Sequence, residues 1–552
     1  MQYYLCSVKQ NHMKQIGFKN FRRFENFPML NLGDVTILVG RNNAGKSTMV
    51  KALLLLLDNL KERVPHGEKH LFHFDLSQEH NTHVNTFKRA LCSKSNDSNM
   101  LFEATFASSS KKSYNVDSAE EVNFTISLTV EGDRTRDIST GEIMFIRISD
   151  NIKNNVFEFD LGVKRMRLIF GDTANAKSQS HEEVLPIEEL KAKLAEANQR
   201  GDIEDIARLT ADIQKLENVR KKKPTKSDSG TVETDLEIKT FEPWAGVANY
   251  IYAFVDYYSK LEYKKTKKRG LTKDAHNYSM LNGAIVGIEQ FAVSVATTLV
   301  ETRIEYIYAH AASQKVLFSI DDKNDYLAKT LHEFYKANVE SGDTAHRFLT
   351  QWLYEFGIGV DINVETIEGE GYTAEIMCQD GVGRHLADLG TGSVQLVILL
   401  LKLATLVKKY GGMHLDLSEE ERQLFGYYGP TDVDYEGSKP LVVIEEPEQN
   451  LHPAIQSKLA ELFYEVSSNY GIRFIIETHS EYLIRRSQVV VAENSDKESW
   501  SNPFAVYYFP EDDVPYDMKY TQSGRFEEKF GVGFFDAASE LNMRIIRKER
   551  GL

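Results

Sequence analysis

Cysteine is scarce in this sequence: three in 552 residues, Cys6, Cys92 and Cys378, far apart and never as a CxxC pair. That spacing argues against a disulfide framework or a structural zinc site and points to a reducing, cytoplasmic setting. Proline is sparse too, at 12 residues, beside 42% hydrophobic and 27% charged residues, which excludes a fibrous or mainly disordered chain. Long apolar runs are missing. The longest, Ala52–Leu57 and Leu396–Leu401, fall far short of the roughly 20 residues of a membrane helix. Residues 1–12 lack the apolar stretch of a signal peptide. Positive charge is in deficit, 66 Lys+Arg against 81 Asp+Glu for a net charge of −15. A surface of that sign is unsuited to coating nucleic acid, although a local basic groove stays compatible with it.

What the chain does have is a changing period along its length. Residues 14–39 hold two strand-like stretches, KQIGFKNF and VTILVG, the second running into a glycine-rich loop and an apolar helix over Ser47–Leu57. Residues 100–170 alternate in LFEATF, VNFTISLTV, GEIMFIRIS and NVFEFDLG, as antiparallel strands joined by polar turns do. Near residue 180 the spacing becomes three and four. Ile187, Leu190, Leu194 and Ala197, then Ile206, Leu209, Ile213 and Leu216, predict a helical hairpin with a coiled-coil-like seam over 187–220. Residues 221–236 read as a polar loop and 245–355 as mainly helical. Strands return with GVDINVETI and YTAEIMCQ, followed by a long apolar helix (392–410), strand LVVIEE, helix 454–469 and strand IRFIIET. That alternation predicts a parallel sheet with helical crossovers.

Four motifs carry chemistry. Gly40-Arg41-Asn42-Asn43-Ala44-Gly45-Lys46-Ser47 matches GxxxxGK[ST] between a strand and a helix. Its glycines let backbone N–H groups, through Thr48, curl around phosphate. Lys46 would reach the β- and γ-phosphates, and the Ser47 hydroxyl would ligate Mg²⁺. Leu441–Glu446 places Glu445 and Glu446 at the C-terminal end of an apolar strand, where ligands gather in open α/β sheets. Glu445 would hold the magnesium shell and Glu446 polarise an attacking water; an exposed acidic strand end is the alternative. FIIETHS (474–480) ends a second buried strand, and His479 there can sense the γ-phosphate, although a lone histidine is more often structural. In DLGTGSVQ (388–395), Gly390, Thr391, Gly392 and Ser393, with Gln395 behind them, leave backbone N–H groups open to an anion at the start of the long helix.

The order of phosphate loop, LGTGSVQ, IEEPE and ETHS resembles the ABC-type ATPase heads of the SMC and OLD superfamily, over roughly 14–170 and 357–490. The resemblance implies an α/β ABC-type head with an antiparallel β lobe, ATP and Mg²⁺ as cofactors, and a homodimer. In such a dimer the signature loop of one subunit closes on ATP held by the other. Gly390, Thr391, Gly392 and Gln395 match the signature; Gly390 stands where the family has serine, with Ser393 the candidate replacement. Glu445 replaces the commoner aspartate, and Asn450-Leu451-His452-Pro453 matches a stretch at the dimer face. Gln78 is a candidate Q-loop metal contact or an exposed loop glutamine. Arg22 and Arg23 are nucleotide contacts or a solvated strand end.

Full OLD nucleases add a Toprim domain, but residues 480–552 show no DxD pair on a strand, and Glu511-Asp512-Asp513 follow Pro510 in a turn. ETHSEYLIRR with a GVGFFD tail is similar to the PtuA-type ATPases of Septu and retron anti-phage systems. Those work with a separate HNH nuclease (PtuB-like) and, in retrons, a reverse transcriptase with its DNA/RNA. The implied function is an ATPase whose nucleotide state gates a separate effector nuclease. A DNA-repair ATPase gripping DNA through the middle segment, and a self-contained nuclease, are the alternatives.

Two basic runs, 221–226 and Lys264–Arg269, the latter after Tyr252, Tyr257, Tyr258 and Tyr263, could meet a nucleic-acid backbone or be solvated loops beside a core helix. The expected organisation is one head split in two: 1–180, a helical insertion at 181–356 that carries the hairpin, and 357–552.

Overall fold

The computed structural model describes residues 11–62, 69–75, 84–108, 122–150, 155–170, 230–237, 246–267, 288–308, 315–322, 325–410, 439–497, 500–511, 513–531, 534–535 and 543–547. Its centre is a six-stranded sheet in the order β11 (Ile304–Ile307), β16 (Leu441–Glu445), β17 (Arg473–Thr478), β3 (Val35–Gly40), β18 (Phe504–Phe509) and β19 (Tyr516–Asp517). The first five run parallel, and β19 closes the edge antiparallel. These strands are near-continuous apolar runs because both faces are covered. Successive side chains feed two separate cores: Leu38, Val443, Ile475 and Tyr507 point into one, and Ile37, Val442, Ile476 and Val506 into the other.

The first core lies between this sheet and a nine-stranded antiparallel lobe. The lobe contains β1 (His12–Phe21), β2 (Phe24–Asn31), β4 (Leu71–His73), β5 (Asn99–Ser108), β6 (Val122–Glu131), β7 (Thr140–Asp150), β8 (Val156–Asp160), β9 (Arg165–Phe170) and β10 (Gly230–Asp235). Helix α1 (Lys46–Lys61) is trapped between the two sheets, which is why its Leu53–Leu57 run is buried on every side. A short helix, α2 (Phe87–Ala90), and then α3 (Ala248–Lys267) and α4 (Ile288–Glu301) complete this core. It is dense in phenylalanine, with Phe18 stacked on Phe27 at 4.1 Å and Phe72 on Phe102 at 5.0 Å.

The second core is helical. Helices α5 (Tyr326–Ala337), α6 (Thr344–Glu355), α7 (Thr391–Tyr410), α8 (Pro453–Tyr470) and α9 (Glu481–Asn494) cover the opposite face of the central sheet. A small sheet of β12 (Phe318–Ser319), β13 (Asp361–Ile367), β14 (Gly371–Met377) and β15 (Gly383–His385) flanks them. By length and composition α7 could cross a membrane, yet Val394–Val407 are buried inside this core.

The mixed α/β fold with an antiparallel lobe matches the sequence reading. Several strands escaped that reading, among them β2, β9, the short β4, β12, β15 and β19, and β18, which is a full member of the parallel sheet. The middle segment also differs. Within 181–356, β10 extends the antiparallel lobe, α3 and α4 fill its core, and β11 pairs with the acidic strand β16. These parts are integral to the head. The hairpin at 187–220, the run 221–226 and Gln78 lie outside the described residues. Tyr252, Tyr257 and Tyr258 pack against the first core, which favours the core-helix reading of the tyrosine cluster.

His70 fixes α3 to the lobe: its Nδ1 lies 2.7 Å from the Tyr250 hydroxyl, and the ring is 4% exposed. Burial, with His73 adding to it, pushes its pKa down to about 4. An imidazole that is neutral when folded but ordinary when unfolded stabilises the fold fully above about pH 6.5. That contribution, about 3 kcal/mol, is lost as pH falls toward 4. His70→Asn is expected to flatten the fall of the thermal midpoint between those pH values, measured by scanning calorimetry beside the unmodified chain.

Candidate functional site

The phosphate loop is shaped by two close approaches. A side chain at Gly40 would come 2.5 Å from the Phe509 carbonyl oxygen of the neighbouring strand. Gly45 has φ of 105°, and a Cβ there would lie 2.5 Å from the Phe24 ring. Asn43 is also left-handed, with φ of 62°. The Thr48 amide donates to the Gly45 carbonyl at 3.0 Å, starting α1. Arg41, Asn42 and Asn43 face solvent, whereas Ala44, Gly45, Lys46 and Thr48 are buried. Arg23 braces the loop from outside: its guanidinium donates to the carbonyls of Asn43 and Glu511 and sits 5.5 Å from the Phe24 ring centroid. Glu511 itself pairs with Arg41 at 3.3 Å.

Beneath the loop, three adjacent strands bring charged groups to one edge. The Lys46 ammonium donates to the carbonyls of Gly40 (2.9 Å) and Arg41 (3.0 Å) and contacts His479 Nε2 at 3.1 Å. Glu477 Oε1 lies 3.9 Å from it. The Ser47 hydroxyl donates to the same Glu477 oxygen at 2.9 Å. Glu477 sits opposite Leu38 on one side and Glu445 on the other. Glu446 follows in a left-handed conformation, φ 43°, its amide donating to the Glu477 carbonyl at 2.7 Å and its carboxylate 3.6 Å from His479. The Gln449 side-chain amide donates to that carboxylate.

Burial dominates the electrostatics. It pushes Glu477 up to about 7, opposed by Lys46 and the Ser47 hydrogen bond and reinforced by Glu445 and Glu446. It lowers Lys46, against the pull of Glu477, Glu446 and Glu448. It also lowers His479, helped by Lys46 and opposed by Glu446. A neutral imidazole is the form whose Nε2 can accept from the lysine ammonium. Glu448, 7% exposed and raised by burial, accepts the His479 amide at 2.6 Å and anchors the histidine backbone.

The structure therefore gathers Lys46, Ser47, Glu446 and His479. It sets Glu445 one strand further out, where the Tyr306 hydroxyl hydrogen-bonds its carboxylate. The Ser47 hydroxyl meets Glu477 and not Glu445, because β17 intervenes between β3 and β16. Gly390 and Thr391 are exposed at the start of α7, and Gly392 and Ser393 are partly covered. A Cβ on Gly392 would strike the Asn450 carbonyl oxygen at 2.4 Å, and the Gln395 amide reaches the Glu446 carbonyl at 3.5 Å. His452 caps α8, its Nδ1 accepting from the Ala454 amide at 3.3 Å. Sequence reasoning gave no role to Glu477, Tyr306, Glu448 or Gln449. Glu477 was visible in FIIETHS, but only the sheet order shows which carboxylate stands beside the loop.

These residues fit a nucleotide with its magnesium. The glycines leave a cradle that a side chain would fill, and the second Glu477 oxygen is buried without a hydrogen-bond partner. Hydroxyl and carboxylate oxygens are the donors a hard divalent cation takes.

A sequence profile described as an AAA ATPase domain matches residues 13–484. No curated protein matches the chain in a sequence search. Similar solved structures include the Smc head domain of Pyrococcus furiosus, with an extended coiled coil and bound to the C-terminal domain of ScpA. It is 12% identical, covering 98% of this chain and 100% of that one, with a TM-score of 0.35. The Smc head of Pyrococcus yayanosii with a coiled coil and joint is 11% identical, covering 93% and 98%, with a TM-score of 0.35. The SMC head domain of Thermotoga maritima is 10% identical, covering 92% and 99%, with a TM-score of 0.32.

Gly45→Ala combines a left-handed backbone with a contact to Phe24 that must give way. It is expected to weaken ATP binding at least ~10-fold, a loss of about 1.4 kcal/mol or more, in a titration with a fluorescent nucleotide. Gly342→Ala, at a left-handed position in open space, serves as the control and is expected to leave binding unchanged.

Proposed function

The chain belongs to the AAA ATPase domain family, and from that premise we propose that it is an ATP-hydrolysing head that dimerises around nucleotide and gates a separate effector. The observation that carries the catalytic part is the convergence of Lys46, Ser47, Glu446 and His479 at the C-terminal ends of three adjacent parallel strands. The loop amides from Asn42 to Thr48 and the Lys46 ammonium hold the phosphates. Ser47 and the strand-end carboxylates, Glu445 among them, would hold Mg²⁺, which would offset phosphate charge. Glu446 takes the proton of the attacking water as its oxygen bonds to the γ-phosphorus and the bridging bond to ADP breaks. His479 would donate an imidazole N–H to the γ-phosphate, its Nε2 exchanging the Lys46 ammonium for that phosphate.

The exposed start of α7 and the exposed Arg41–Asn43 edge of the loop support a two-subunit site. In that reading Gly390, Thr391, Gly392, Ser393 and Gln395 of one copy complete the phosphate pocket of another. The effector is proposed to be an HNH-type nuclease on its own chain, in an anti-phage setting of the Septu or retron kind. Described residues after His479 build into the head as far as Phe535. Phe530 and Phe534 pack on Tyr508, and the Arg485 guanidinium lies 5.9 Å from the Phe535 ring.

Glu446→Gln tests the assignment. Turnover of ATP is expected to fall at least ~100-fold, within the range usual for a general base, while ATP binding holds and ATP drives the chain into a dimer seen by light scattering. Unchanged turnover would remove Glu446 from the mechanism. Metal-dependent DNA cleavage by the isolated chain would overturn the separate effector.

A further inference from the structure

We propose that Glu477 is the carboxylate that works with Ser47 on the metal side of the nucleotide, an assignment the four motifs do not make. The inference rests on the ATP-site reading above and adds to it. Its starting point is topology. β17 lies directly beside the phosphate-loop strand, and β16 lies one strand further away. Glu477 and Glu445 face each other in register at the strand ends, so Glu477 is the nearer to the loop.

The side-chain contacts divide the two carboxylates the same way. Glu477 Oε1 accepts the Ser47 hydroxyl at 2.9 Å and lies 3.9 Å from the Lys46 ammonium. Its Oε2 is buried with no hydrogen-bond partner, in a residue 6% exposed. A carboxylate oxygen removed from water and left without a donor is costly, and such oxygens in native structures have a reason. Glu445 by contrast is engaged by Tyr306 from β11 on its far side. Magnesium is held by few protein oxygens and keeps several waters, so one hydroxyl and one neighbouring carboxylate are enough to place it. The competing account makes Glu477 only a counter-charge for Lys46. The two accounts differ in what the metal does. A counter-charge acts on nucleotide binding with or without metal, whereas a metal-side carboxylate acts only when metal is present.

The test uses the full chain and a non-hydrolysable ATP analogue, titrated with Mg²⁺ and in EDTA, together with Mn²⁺ binding read by electron paramagnetic resonance. The unmodified chain is expected to bind the analogue more tightly with Mg²⁺. Glu477→Gln is expected to cut that metal-dependent gain at least ten-fold and to weaken Mn²⁺ binding in the ternary complex, with binding in EDTA equal or tighter. Glu477→Asp keeps the charge but withdraws it from Ser47; an intermediate loss is expected, and this variant carries the test if the glutamine variant does not fold. A gain that matches the unmodified chain in either variant overturns the proposal, as does an equal loss with and without Mg²⁺. If the unmodified chain binds no analogue under either condition, the ATP-site reading falls and this inference with it.

Discussion

A buried ammonium organises this molecule. Lys46 is 3% exposed, and a lysine taken out of water is tolerated only where its donors are met and its charge is balanced. Two carbonyls of its own loop, the imidazole of His479 and the carboxylate of Glu477 supply that environment. None of these partners could arrive by chance from a distant loop. The carbonyls come from the turn the glycines permit, and the other two come from the neighbouring parallel strand, whose end must stop level with the loop. The sheet register, Glu477 opposite Leu38 and Thr478 opposite Val39, is therefore as much a part of the site as the side chains.

The two cores serve that register. A parallel strand covered on both faces cannot slip by one residue without exchanging its entire set of side chains between the cores. Leu38 belongs to the phenylalanine-rich core with the antiparallel lobe, and Ile37 and Val39 to the helical core. Arg473, at the start of β17, adds a second lock: its guanidinium donates to the carbonyls of Met13, Leu32 and Gly33, tying the sheet to the lobe. The middle segment takes part as well, because β11 supplies the tyrosine that holds Glu445. A change at that edge of the sheet thus has a direct route to an acidic residue of the site, through a strand that lies outside every recognisable motif.

What could be read from the sequence follows from where each signal is stored. The phosphate loop is local: GRNNAGKS carries its turn chemistry, its lysine and its hydroxyl within eight consecutive residues. The acidic strand and FIIETHS are local in the same sense, since each is a short apolar run ending in polar residues. Three things were not local. The partner of Ser47 depends on strand order, and two carboxylates at the ends of two apolar strands look equivalent until that order is known. β18, FAVYYF, is flanked by Pro503 and Pro510 and carries no functional residue to draw the eye, yet its Phe509 carbonyl is the surface that requires Gly40. The segment 181–356 changes period near residue 180 and therefore looks like an insertion. Its strands β10 and β11 are short, and strands of six and four residues take their identity from the sheets they join.

Glu446 shows how these levels meet. A glutamate at φ 43° is strained, by about 1 kcal/mol or more, and persists only where its surroundings over-determine it. Here the amide is held by the Glu477 carbonyl, the carboxylate by the Gln449 side chain, whose backbone amide also donates to the Glu446 carbonyl at 3.1 Å, and that carbonyl by Gln395 at 3.5 Å. The first hold comes from the central sheet, the second from the turn that leads into α8, and the third from the first turns of α7. The start of α7 is also fitted against Asn450 through Gly392, where no side chain could be accommodated. The exposed end of α7 and the proposed water-activating carboxylate are consequently parts of one packed unit. A ligand or second subunit that shifts α7 must either carry Glu446 with it or release the Gln395 restraint, so that the strained residue is where a contact at the surface can be felt by the chemistry.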